Sequence, residues 1–348
     1  MTERAGVIRF TSMSGRTKAW LGCSAALLLA GCGHYADFTL PVLEGGEPGT
    51  VRLKLGEAPV LSRGSAGEWD SSDALNPSVV RRDGQFWNFY SGFDGKVWRT
   101  GAASSPDGAT WTKRGVVLSP EGGWEGSYIA ANGSALWRNG EFLIWYEAGD
   151  KDGEKRIGLA RSSDGLHFRK EPKPVLDVGP YRSWDERAVA DPYVVEAGGW
   201  LYLYYLGQDR AVAPPRQRIG VARSRDGISW EKLRTNPVVD ISAPGSGGMD
   251  ENGAGEPAVF IWKGRYWMLI TGNDAQEHRR LAMYWSNDGV HWKRQPGAFS
   301  GDQSWDRVVV CDPTVVVDGS QVRLWFGGGD INSRDEGLHG QIGMGAVE

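Results

Sequence analysis

A unit of roughly 60 residues recurs down this chain, and that period limits the fold more than any other feature. Five copies open alike: Trp69-Asp70 … Asn76-Pro77, Trp124-Glu125 … Asn132-Gly133, Trp184-Asp185 … Asp191-Pro192, Met249-Asp250 … Glu256-Pro257 and Trp305-Asp306 … Asp312-Pro313. An apolar run, a glycine turn, an aromatic-rich strand such as Trp200 to Leu206, and a third strand such as Arg218 to Arg223 follow. Four copies then carry Ser-x-Asp-Gly-x-x-aromatic, at Ser105 to Trp111, Ser162 to Phe168, Ser224 to Trp230 and Ser286 to Trp292. Asp-Gly between alternating apolar runs is a hairpin turn, because Gly takes positive φ without steric cost and Asp bonds its own backbone. A fourth strand follows, ending in Val117-Leu118, Val175-Leu176 or Val238-Val239. Four antiparallel strands in each of five units predict an all-β chain, a five-bladed β-propeller. The fifth unit stops after its third strand, Gly340 to Val347, whereas Val51 to Leu61 has the pattern of a fourth strand. This N-terminal segment is expected to close the last blade and cover its edge.

The first residues lie outside that repeat. Arg4, Arg9, Arg16 and Lys18 precede an apolar run from Ala19 to Ala30, too short to span a bilayer. The run ends in Leu29-Ala30-Gly31-Cys32, which resembles the lipobox of bacterial lipoproteins. That resemblance implies a signal peptide over 1–31 and acyl chains on Cys32 that anchor the protein in a membrane. By the same resemblance, to the lipoproteins of two-membraned bacteria, Gly33 rather than Asp after the cysteine implies the outer membrane or cell surface. Residues 32–49 then read as a tether and 50–348 as the propeller. Removing Arg4, Arg9, Arg16, Lys18 and Glu3 takes the formal charge from −4 to about −7, which argues against a nucleic-acid partner. Cleavage would leave Cys311 as the one thiol besides Cys32, so no disulfide framework holds the fold. The five histidines are scattered, with no pair at metal-ligand spacing, so neither a metal nor another cofactor is expected. The chain is expected to act as a monomer.

In a four-stranded meander the loops entering strand one and joining strands two and three share one face. The Asp-Gly turns lie on the other. Since strand one lines the central channel of a propeller, Asn76, Asn132, Asp191, Glu256 and Asp312 should form a ring at its mouth. Three carboxylates facing one another there would repel, an arrangement the fold does not require. Arg99, Arg156, Arg218 and Arg280 share one phase at the start of strand three and are expected to pair with the acidic residues of the Trp-Asp loops. The tryptophans of those loops are expected to pack.

The whole repeat resembles the five-bladed glycoside hydrolases, both the arabinanase and β-xylosidase type of family 43 and the invertase type. The resemblance implies a carbohydrate substrate. It also implies that Glu256, in Gly255-Glu256-Pro257, is the general acid and that Asp191, in Ala190-Asp191-Pro192, orients and tunes it. The first-blade position, where those families place a base or nucleophile, holds Asn76, which can be neither. Asp73, Asp94 or Asp312 would have to supply the base. The Leu75-Asn76-Pro77 opening also resembles the mannoside phosphorylases of family 130, in which phosphate replaces water. That resemblance implies a cationic pocket, with His278, Arg279 and Arg280 as candidates. Catalysis would then involve Glu256, Asp191, Asp73 and Asp312, and substrate binding Asn76, Asn132, His278, Arg279 and Arg280. The remaining reading is a propeller that binds glycans without turnover.

Overall fold

The structure, a computed structural model, describes residues 34–210, 216–334 and 336–348. The signal segment and Cys32 therefore lie outside the described residues. Within them the regular structure is β, apart from one 3-10 turn over Gly123–Glu125.

The strands form five antiparallel meanders. The first has Asp73–Leu75 and Val79–Arg82 as an interrupted strand one, then Gln85–Phe93, Trp98–Ser105 and Thr112–Leu118. The second runs through Ile129–Arg138, Glu141–Gly149, Arg156–Ser162 and Arg169–Lys170. The third comprises Ala188–Ala197, Trp200–Gln208, Gln217–Ser224 and Glu231–Leu233. Gly253–Trp262, Arg265–Asn273, Arg279–Ser286 and Lys293–Arg294 make the fourth. The fifth consists of Val309–Asp318, Gln321–Gly329, Gln341–Val347 and the N-terminal strand Leu53–Leu55, which pairs antiparallel with Gly345 to Val347 as the repeat predicts.

Blade meets blade through short parallel contacts between strand three of one and strand one of the next: Trp98↔Ile129, Lys155↔Ala188, Gln217↔Gly253 and Arg279↔Val309. The amide of Ala74 donating to the Gly340 carbonyl at 2.9 Å closes the circle from blade five to blade one. The hydrophobic core sits in these seams. Val80, Phe89 and Phe142 pack between blades one and two, Trp145, Leu159 and Leu203 between two and three, and Tyr204, Val259 and Met268 between three and four. Each Asp-Gly turn is held by its Ser and Asp side chains, as at Gly108, whose amide donates to Ser105 Oγ at 2.8 Å. The turns also fasten neighbouring blades, since Trp145 Nε1 donates to the Gly227 carbonyl and Trp325 Nε1 to that of Gly108.

The Trp-Asp loops are packing devices. Trp69, Trp184 and Trp305 lie flat over Gly92, Gly207 and Gly328, where a Cβ would come within 2.1–2.3 Å of the ring. Their acids are buried, but their partners differ from those expected. Asp70, Glu125 and Asp185 each bind a fourth-strand lysine (Lys113, Lys170, Lys232) and a strand-two tyrosine (Tyr90, Tyr146, Tyr205). The strand-three arginines pair with loop acids instead: Arg99 with Asp94, Arg156 with Asp177, Arg218 with Asp209 and Arg280 with Asp274.

Two expectations are corrected. The fourth strands of blades two and three are shorter than predicted, with a two- or three-residue ladder followed by isolated bridges at Leu176 and Val239. Pro172, Pro174 and Pro237 fall between the two parts, and proline has no amide for a ladder. Residues 34–49, predicted as a tether, are docked on the blades. Tyr35–Ala36 adds a parallel strand beside Lys232 and Leu233, and the amides of Leu40 and Leu43 bond the Asp288 and Asn287 carbonyls. Leu40 is 1% exposed, inside the core between blades three and four.

Candidate active site

The five ring positions share one backbone conformation. Asn76, Asn132, Asp191, Glu256 and Asp312 have φ of 47°, 49°, 43°, 50° and 51°. This left-handed residue breaks the pairing with strand two, whose register jumps between Ala131 and Ser134, Ala190 and Tyr193, Gly255 and Ala258, and Cys311 and Thr314. Such bulges re-aim a side chain, here into the mouth of the channel. Asn and Asp tolerate the left-handed region, and Pro after them needs no ladder partner, so turn chemistry explains four of the five residue types. It does not explain Glu256.

The ring residues face a cavity of about 530 Å³, a size suited to a small ligand. Neighbouring ring members bond each other. Asn76 Nδ2 donates to Asp312 Oδ1 at 2.8 Å, Asn132 Nδ2 donates to Asp191 Oδ1 at 3.1 Å, and the Asp312 amide donates to Glu256 Oε2 at 3.0 Å. Burial, followed by the charges of Glu147, Glu256 and Asp312, holds the Asp191 carboxyl well above the usual carboxylate range. Burial, followed by Glu256, does the same to Asp312. Both therefore favour their protonated forms.

The structure brings together Glu256, Asp191, Asp312, Asn76, Asn132 and Arg279, all lining this cavity. It does not bring in Asp73, which is fully buried and accepts hydrogen bonds from the amides of Gly340 at 2.8 Å and Gly337 at 2.6 Å, fixing the seam between blades five and one. Asp94 holds its own turn by accepting from the Lys96 and Val97 amides. His278 and Arg280 turn toward Asp274, at 3.2 and 3.3 Å, so only the middle residue of the predicted cationic triplet reaches the cavity. Adjacent residues of a strand point to opposite sides, and Arg279 and Arg280 therefore cannot serve one site together.

Glu147 and Arg187, both lining the cavity, are among the residues that escaped the sequence reading. Comparing the repeats position by position would have found them. Opposite the residue before each ring member stand Ser91, Glu147, Leu206, Thr271 and Gly327, of which one is an acid. Glu147 is buried and accepts from Asn132 Nδ2 at 3.2 Å, so that this amide spans Glu147 and Asp191.

Among the described residues one group offers three possible metal ligands: Glu256, Cys311 and Asp312 place an atom each within 4.8 Å of one another. Burial pushes the Cys311 thiol well above its ordinary value, and it donates to Asp312 Oδ2 at 3.0 Å. A cation would first have to displace these protons.

Comparison with known proteins agrees with this architecture. Residues 194–325 match the glycosyl hydrolases family 32 N-terminal domain. A solved thermostable family-43 glycoside hydrolase superposes with a TM-score of 0.61 at 18% identity, over 79% of this chain and 88% of that one, which shows the shared propeller-hydrolase fold. A 1,2-beta-oligomannan phosphorylase of Thermoanaerobacter sp. is 34% identical over 126 residues, 33% of this chain and 41% of that protein. The uncharacterized protein MT1551 of Mycobacterium tuberculosis is 31% identical over 232 residues, 62% of this chain and 75% of the relative. On that similarity, and on the fold of the propeller glycoside hydrolases, this chain belongs to the family of MT1551.

Proposed function

We propose that this chain cleaves glycosidic bonds, with Glu256 as the general acid that protonates the leaving oxygen. One observation carries the reading: Glu256 occupies a left-handed position whose four counterparts are Asn or Asp, so its side chain is kept for something other than the turn. Asp191, bonded to Asn132 and favouring its protonated form, lies in the same carboxylate cluster and positions the acid. Asn76 cannot activate water, and Asp312 is occupied by Asn76 and Cys311. Glu147 is the remaining ring-side carboxylate and is assigned the base that directs water in an inverting displacement. The substrate is a glycan whose sugar occupies the 530 Å³ cavity. By the lipobox-like run before Cys32, the protein is exported and works at the outer membrane or cell surface through a lipid anchor.

A second reading, phosphorolysis, is supported by the amide at Asn76 together with Arg279 in the cavity wall and the partial similarity to a phosphorylase. Turnover of a panel of aryl glycosides and oligosaccharides with and without inorganic phosphate tests both. Glu256→Gln should lower turnover by at least about 10²-fold in either case, with ligand affinity nearly intact. Glu147→Gln should abolish hydrolysis, whereas phosphorolysis should require phosphate and survive that change. An active wild type indifferent to Glu256→Gln would refute the assignment of the acid.

A further inference from the structure

The repeat supplies an internal control for the cavity wall. At four seams, the first residue of strand three or the one before it pairs with the residue three before the next ring member, which sets the residue four before that member beside the junction. The residues thus set beside each junction are Tyr128 near Trp98, Arg187 near Lys155, Asn252 near Gln217 and Val308 near Arg279, and at the fifth seam, where Gly340 accepts from the amide of Ala74, Ser72 near Gly340. The same backbone junction thus accepts neutral pairs or a single cation. Only the seam between blades two and three carries two cations, and both face the cavity.

Among the described residues, neither cation has a carboxylate at ion-pair distance, although Glu147 and Asp150 act on Lys155 from beyond it. Among the described residues, the Arg187 side chain makes no hydrogen bond or ion pair, and Lys155 Nζ donates to the carbonyls of Asp150 and Lys151 without a carboxylate at ion-pair distance. Burial lowers the Lys155 amino group from its ordinary value; the charges of Glu147 and Asp150 oppose the shift, Arg187 adds to it more weakly, and Asp152 opposes it. Two like charges held side by side in a partly buried wall repel each other, and an anion placed between them removes that repulsion and gains a forked guanidinium contact.

We propose that this seam is a subsite for a carboxylate borne by the sugar, so that the substrate is an acidic glycan containing a uronic acid. The inference rests on the reading of the cavity as a glycan site. It places the acidic sugar at blades two and three, beside Asp191 and Glu147 and across the ring from Asp312.

Calorimetric titration of matched monosaccharides tests it: D-glucuronate against D-glucose, D-galacturonate against D-galactose, and D-mannuronate against D-mannose. At least one uronate should bind about tenfold or more tighter than its neutral parent. Arg187→Gln should reduce that preference to about twofold or less, and Arg187→Lys should keep part of it, with unchanged melting temperatures showing that both variants fold. Equal binding within every pair, or a preference that survives Arg187→Gln, would overturn the proposal while leaving a neutral-glycan site standing. Inorganic phosphate is titrated in parallel. If phosphate binds in an Arg187-dependent way and no uronate is preferred, the seam belongs to a phosphate co-substrate and the sugar carboxylate is refuted. Binding of no sugar, acidic or neutral, would overturn this proposal and the glycan reading together.

Discussion

If Glu256 is held for chemistry at the expense of the backbone, replacing it with the residue its position prefers should make the protein more stable and inactive. Glu256→Asn introduces the residue already found at the equivalent positions 76 and 132. Glu256 has φ 50°, and a residue other than Gly, Asn or Asp in that region costs about 1–2 kcal/mol. Against this stands the hydrogen bond from the Asp312 amide to Glu256 Oε2, about 1 kcal/mol. That amide is not orphaned, because Thr271 Oγ1 also accepts it at 3.1 Å. The balance favours the variant by up to about 1 kcal/mol, a rise in melting temperature of up to about 2 °C. Scanning calorimetry reads the rise, and turnover should fall by at least about 10²-fold in the same preparation. A melting temperature lowered by a similar amount would show that Glu256 is a structural member of the ring and refute the reasoning.

Asp191 has a folded-state pKa raised above its unfolded value of 3.8, so its contribution to stability is fully present below that value and is lost as pH rises through the folded one. Asp191→Asn should therefore gain on the wild type as pH rises from about 4 to 8, and a gap in melting temperature that stays flat would contradict the shift. Leu40→Ala should cost about 2–4 kcal/mol in urea unfolding, because the side chain is buried between blades three and four; a free tether would lose nothing. Cys32→Ser should abolish incorporation of labelled fatty acid and membrane retention. An acylated Cys32→Ser protein would remove the lipobox reading.

The repeat made the architecture legible, down to the strand Leu53–Leu55 that completes blade five, because hairpin turns and alternating runs are local signals. The ring was legible for the same reason: each member precedes Pro or Gly at one phase of the unit. What stayed hidden depends on contacts between distant strands. Glu147 belongs to the site through pairing across strand two, and Arg187 comes beside Lys155 only because two blades abut at the bridge between Lys155 and Ala188. Asp73 was misplaced because its distance from Asn76 along the chain says nothing about direction. Its side chain turns into the neighbouring seam to hold Gly337 and Gly340. The docking of residues 34–49 had no period to reveal it, and rests on the packing of Leu40, Phe38 and Leu43 and on backbone bonds to the blades.

The central claim is that Glu256 donates a proton to the departing oxygen, and the leaving-group dependence of Glu256→Gln tests it most directly. Turnover should be compared between wild type and variant on aryl glycosides whose phenols range from unactivated to dinitro-substituted. The account predicts a loss of at least about 10²-fold on poor leaving groups that shrinks toward the wild-type rate as the phenol becomes more acidic, since a good leaving group needs no proton. A loss of equal size on every substrate, or no loss on any, would contradict it.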